Sequence, residues 1–187
     1  MRVALLLAAF LMAAASSAVA QTEPVWSQGR FSFDTTGTGW SVAAIPPEEE
    51  KMVLILQPDA DAADGELRQM CLLEEKTAMP PPQREATQAI ANEMTRLVVQ
   101  LERIDEDASG SVLLEQDGVL SAYDRADLVD PQNNQPVNRQ RRHFFLADGG
   151  TVRMYQFFCF AYASAGPQAP DGLRVMLERL RISGATP

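Results

Sequence analysis

Two cysteines, Cys71 and Cys159, constrain this chain more than any other feature, because its first residues address it to a compartment that oxidises thiols. Met1 and Arg2 make a short basic start, residues 3–12 are an apolar run, and Ala18-Val19-Ala20 supplies the small residues of a signal-peptidase cut. Residues 1–20 are therefore expected to be a signal peptide, with Gln21 opening the mature chain. The apolar run is too short to span a bilayer, and no cysteine stands at the cut to take a lipid anchor. A periplasmic location is expected, with no transmembrane segment. With two thiols, the sole intramolecular pairing is Cys71 with Cys159. That bond would close a loop of nearly 90 residues, for which the chain-entropy picture gives roughly 4–5 kcal/mol. A reactive thiol served by His143, the only histidine, is the functional alternative.

Removing 20 residues from 187 leaves 167, enough for one domain with a sizeable core. The composition, 46% hydrophobic and 22% charged, excludes a largely disordered chain. Formal net charge is -9, and cleavage removes Arg2 as well. Such a chain repels nucleic acid and anionic lipid at long range, so no nucleic-acid partner is expected.

Residues 21–29 read as a flexible start and 184–187 as a flexible end, with one domain over 30–183. Phe31 and Phe33 alternate with polar neighbours as in a half-buried strand. A Thr/Gly turn leads to a second strand, 40–45, and Met52-Val53-Leu54-Ile55-Leu56 forms a third, apolar on both faces. Residues 57–65 read as a polar turn and 66–76 as a strand carrying Cys71. The prolines at 80–82 set up a helix over 83–103. Its apolar stripe is Ala86, Ile90, Met94, Leu97, Val98 and Leu101, with Gln88, Glu93 and Arg96 facing elsewhere. Asp117-Gly118 marks a two-residue hairpin turn, and a longer hairpin runs over 137–162 about Asp148-Gly149-Gly150. Pro170-Asp171 starts a last helix with Leu173, Met176, Leu177 and Leu180 on one side. Strands in hairpin order with one long central helix and one C-terminal helix predict an α+β fold, an antiparallel sheet packed by both helices.

An early aromatic strand pair with Trp40, the strand 52–56, the helix 83–103, the hairpin 137–162 and the amphipathic segment 173–182 together resemble the Mog1/PsbP-like fold, including the DcrB-like bacterial envelope proteins. Thr38-Gly39-Trp40 stands where such domains often carry proline-glycine-tryptophan, which leaves a cystatin-like α+β fold as the alternative. The resemblance implies a non-catalytic envelope or assembly factor that binds another protein. It carries over no catalytic residues.

Arg139, Arg141, Arg142 and His143 form the one basic concentration in an acidic chain. On a strand, Arg139, Arg141 and His143 share a face and could make an anion-binding strip. The alternative pairs them with Asp124, Asp127 or Glu115 on a neighbouring strand. The acidic stretch 59–66 invites a calcium reading, but an EF-hand opening at Asp59 would meet Ala63, Asp64 and Met70 where it needs an oxygen ligand, glycine and glutamate. A solvated turn is the simpler reading there and for Asp105-Glu106-Asp107. One histidine and two paired cysteines do not build a zinc site. There is no nucleophile elbow, zincin helix or phosphate loop. Tyr155, Phe157, Phe158, Phe160 and Tyr162 either line a pocket or fill the core on both sides of a central strand.

The expectation is thus an exported, non-catalytic binding or assembly factor of the envelope, using the basic strip and loop 130–136 on another envelope protein, with no catalytic, metal or cofactor residues. The alternative is a small-molecule or lipid-binding periplasmic protein with its pocket between the sheet and helix 83–103.

Overall fold

The computed structural model describes residues 25–47, 49–79, 86–102, 109–148 and 150–183. The leader 1–20, the prolines 80–82, the acidic segment 105–107 and the end 184–187 lie outside the described residues. The elements are β1 Val25–Gln28, β2 Phe31–Asp34, β3 Trp40–Val42, β4 Met52–Pro58, α1 Asp59–Asp64, β5 Gln69–Met79, α2 Gln88–Glu102, β6 Ser109–Gln116, β7 Val119–Val129, β8 Pro136–Asp148, β9 Thr151–Tyr162, a 3-10 turn Ala163–Ala165, α3 Ala169–Arg179 and β10 Leu180–Ile182.

The fold is α+β, built on two antiparallel sheets where one was expected. The larger has the order β3-β4-β5-β9-β8-β7-β6 and the smaller β1-β2-β10. β1 falls inside the start read as flexible: Val25 pairs with Asp34 and Gln28 with Phe31. Three-residue β10 closes the small sheet on the other edge of β2. Neither element is long enough to leave a period-2 signal. The early aromatic strands are not paired with each other. β2 belongs to the small sheet, and β3 is an edge of the large one.

The hairpins are where turn chemistry is strongest. β6 and β7 meet at Asp117 (φ 50°) and Gly118 (φ 75°), both left-handed, as the turn that matches strand twist requires. β8 and β9 pair from Val137↔Tyr162 to Asp148↔Thr151. The segment 57–65 is not a plain turn. It closes β4 and becomes α1, ended by left-handed Gly65 (φ 74°). The following strand starts at Gln69 rather than Glu66, and Cys71 stands directly opposite Cys159 on β9. The two are disulfide-bonded, with 4.1 Å between Cα atoms.

The main core lies on one face of the large sheet. Leu54, Leu56, Leu73, Phe144, Leu146, Phe157 and both cysteines pack there against Phe31, Phe33, Leu173, Met176, Leu177, Leu180 and Ile182. The small sheet and α3 therefore cover this face. α2 packs on the opposite face over β8, β7 and β6, where Ala91, Phe145 and Val152 meet with Met94, Val98 and Met154 beside them.

The buried side of α2 is turned from the predicted stripe. Ala91, Thr95 and Val99 are buried, whereas Leu97 is 55% exposed. Ala86, Met94 and Val98 of that stripe still pack against the core, and polar side chains on the buried side are bonded there. The one hydroxyl hydrogen of Thr95 is shared between the carbonyl oxygens of Ala91 and Leu120, which lie 3.3 and 3.2 Å from Oγ1. Asn92 donates to Gly118 O (2.8 Å) and accepts from Leu120 N–H (3.0 Å). Gln88, expected to face away, donates to Phe145 O (3.0 Å) and accepts from Ala147 N–H (3.3 Å). Satisfied this way, the polar groups have the cost of losing water offset by hydrogen bonds to the sheet.

Candidate functional site

Successive strand residues point to opposite faces, and β8 divides the basic cluster accordingly. Arg139, Arg141 and His143 lie on the α2 face, and Arg142 on the face of the main core. Asp124 of β7, 1% exposed, stands directly across from Arg141. Arg141 Nε is 2.9 Å from each of its carboxylate oxygens, and Arg139 Nη2 approaches one of them at 3.9 Å. His143 is buried, at 2% exposure. The structure therefore does not bring the four side chains into one anion-binding strip. Arg139 and Arg141 flank a shared carboxylate, His143 sits inside, and Arg142 leaves through the sheet.

Arg142 is itself 4% exposed. Its Nε donates to Ser121 Oγ (3.1 Å), Nη1 to the carbonyls of Leu177 (3.4 Å) and Leu180 (3.1 Å), and Nη2 to Gln116 Oε1 (3.0 Å). It thus holds the C-terminal end of α3, where free carbonyls favour a cation. Burial, with Arg181 nearby adding like charge, pushes its pKa down to about 10.

The aromatic residues of β9 also divide. Tyr155 and Phe157 belong to the main core, whereas Phe158, Phe160 and Tyr162 lie on the opposite face and are only half-buried. Phe158 and Phe160 stack at 5.7 Å, and Phe160 meets Tyr162 edge-on at 5.6 Å. Length explains why α2 does not cover the whole of this face. The 15 residues of α2 span about 22 Å, whereas the 13 residues of β8 span about 43 Å. The contacts of α2 with Phe145, Val152 and Met154 lie toward the Asp148 end of the β8–β9 hairpin. Phe158, Phe160 and Tyr162 lie toward its other end.

There the loop after β7 completes a depression of about 330 Å³, lined by Leu128, Val129, Pro131, Arg139, Phe160 and Tyr162 among others. Tyr162 O–H donates to Asp130 Oδ2 at 2.6 Å, and Asp130 Oδ1 accepts from Gln132 N–H at 2.8 Å. The Tyr162 hydroxyl first, and the Gln132 amide second, hold the Asp130 carboxyl below its usual range. Asn134 N–H to Asp130 O (2.8 Å) and Asp130 N–H to Gln135 O (2.9 Å) close the loop's backbone. The loop is thus pinned to the aromatic row it borders.

No protein-family description matches this chain, and no curated protein matches it. Among solved structures it is similar to LpqN, described as involved in cell envelope biogenesis of Mycobacterium tuberculosis. The identity is 13%, the match covers 78% of this chain and 79% of that one, and the TM-score is 0.48.

The acidic stretch 59–66 is occupied by the chain's own donors. Asp61 is buried and accepts from the N–H groups of Arg68 and Gln69 (3.0 Å each) and from the Arg68 guanidinium (3.1 Å). Asp64 accepts from Glu66 N–H (2.9 Å) and Arg68 Nη2 (2.6 Å), which hold its carboxyl below the ordinary value. Among the described residues no three His, Cys, Asp or Glu side chains stand together to hold a metal ion. No described helix is long and apolar enough to cross a membrane.

Alternation read within single strands places Arg139, Arg141 and His143 on one face and divides the aromatics of β9 between both, as observed. It missed that Arg139 and Phe160 stand directly opposite each other. Period-2 alternation applied to both arms of the hairpin at once would have found that pairing.

Proposed function

We propose that this protein is an exported, non-catalytic binding or assembly factor of the bacterial envelope, which recognises another envelope protein through the depression around Phe160, Arg139 and loop 130–135. The observation that carries this reading is the row Phe158, Phe160 and Tyr162, half-buried on a sheet face that α2 covers only toward the other end. Aromatic and arginine side chains are enriched at the centres of protein interfaces, where large rigid surfaces gain most from losing water.

The surroundings support binding rather than chemistry. Arg141 is held by Asp124, and the Tyr162 hydroxyl by Asp130. These pairings fix the surface and leave its apolar rings as the groups with most to gain from a partner. The partner is a protein with an apolar anchor for the rings and a carboxylate near Arg139. The strong acidity of the chain argues against nucleic acid. A buried disulfide supports an oxidising compartment, and the leader 1–20 a periplasmic one. We read the architecture as Mog1/PsbP-like, on the order of its elements.

The test places a photo-crosslinking amino acid at position 160 in cells, and at exposed position 97 on α2 as the control. The proposal expects one envelope protein captured from position 160 and not from position 97. Equal labelling from both positions would count against the surface.

A further inference from the structure

A second recess lies on the opposite face of the large sheet, between β6, β7 and α3. It has a volume of about 250 Å³ and is lined by Val112, Leu114, Tyr123, Leu177, Arg142, Arg174 and Glu178. The walls are largely apolar, and the nearly buried Arg142 is part of the lining. The side chains of Arg174 and Glu178, 61% and 64% exposed, mark the rim. This is where the alternative expectation of a ligand pocket finds a place, on the α3 side rather than under α2.

We propose that this recess binds an anionic amphiphile, a medium-chain monocarboxylate whose carboxylate meets Arg142 and Arg174 and whose chain lies along Val112, Leu114 and Leu177.

Charge argues first. Every acceptor that Arg142 meets among the described residues is neutral: a hydroxyl, an amide oxygen and two helix-end carbonyls. A buried guanidinium without a counter-ion is held at a cost. A guanidinium has five N–H groups, and those four bonds leave one N–H on Nη2. The rim supplies a second cation at little loss, because Arg174 and Glu178 are 3.9 Å apart and both largely in water.

Size and shape argue second. An apolar cavity of about 150 Å³ takes up benzene, so the larger recess here has room for a chain of roughly eight carbons. Tyr123 directs its hydroxyl to Gln140 Oε1 at 2.9 Å, so its polar end is already satisfied. The partner surface around Phe160 is on the other side of the sheet, so the two proposals stand or fall separately.

The test is calorimetric titration of the mature protein with octanoate and with octanol, both below micelle-forming concentrations. The proposal expects saturable one-site binding of octanoate, about tenfold or more tighter than octanol. Arg142→Met also strips the end of α3 of its donor, so two rim variants carry the test. Leu114→Trp places an indole in the recess at a position already 42% exposed, and is expected to weaken octanoate about tenfold or more. Arg174→Ala is expected to weaken octanoate by about threefold while leaving octanol unchanged. Circular dichroism confirms that each variant is folded. No saturable binding of octanoate, equal binding of octanol, or full octanoate affinity in a folded Leu114→Trp protein would each overturn the proposal.

Discussion

Arg141 and Asp124 face each other across β8 and β7, with the arginine Nε 2.9 Å from both oxygens of a carboxylate that is almost wholly buried. The Arg139 guanidinium stands 3.9 Å away on the same side. This pairing turns a run of basic residues from an open anion site into part of the sheet.

Removing one member of such a pair leaves the other charge buried, which is costly even where the intact pair contributes little. Arg141→Met is therefore expected to destabilise by about 3 kcal/mol, seen as a lower midpoint in urea unfolding. Arg141→Met combined with Asp124→Leu is expected to recover much of that loss. A single variant as stable as the wild type would show that Asp124 is not held by this arginine.

The disulfide ties β5 to β9 across 88 residues of chain. Replacing both cysteines by alanine is expected to cost about 4 kcal/mol, chiefly by freeing the unfolded chain. At this size that corresponds to roughly 10 °C in thermal midpoint. The thermal midpoint of the wild-type protein, measured with and without reductant in the denatured state, checks the same quantity.

The rotated face of α2 predicts opposite results at two apolar residues near each other in sequence. Val99, 3% exposed, is expected to lose about 2 kcal/mol on change to alanine. Leu97→Ala is expected to stay within about 0.5 kcal/mol of the wild type. The reverse order would restore the stripe that sequence periodicity suggests.

Acid is expected to loosen the loop beside Phe160. Asp130 is held below its ordinary value by Tyr162 and Gln132. A depressed folded-state pKa contributes stability that is present above the unfolded value, about 4, and is lost as pH falls through the folded value. The Tyr162 ring signals in NMR should therefore shift as pH falls below about 4. Asp130→Asn should show no such transition. A wild-type protein whose Tyr162 signals stay fixed through that range would contradict the bond's role.

Where local chemistry speaks alone, the sequence was readable. Asp117-Gly118 and Gly150 announce their hairpins because glycine, and aspartate more readily than most residues, accept the left-handed backbone seen there. Leu173, Met176 and Leu177 locate α3 because their face is apolar throughout. Reading fails where polar side chains are satisfied by distant backbone. Thr95, Asn92 and Gln88 look like a solvent face and instead bond to β7 and β8. Alternation put Arg139, Arg141 and His143 on one face, and Asp124 was among the partners expected across from them; which of Asp124, Asp127 and Glu115 lies opposite was set by register, which no single strand encodes.

The central claim is that the depression around Phe160 is a protein-binding surface. Its most direct test is the affinity of the purified partner captured at position 160 for three versions of this protein. Val129→Asp, at a residue 58% exposed in the depression, and Phe160→Asp are each expected to weaken binding about tenfold or more. Leu97→Asp on α2 is expected to leave it unchanged. Undiminished binding to folded Val129→Asp and Phe160→Asp proteins would contradict the account.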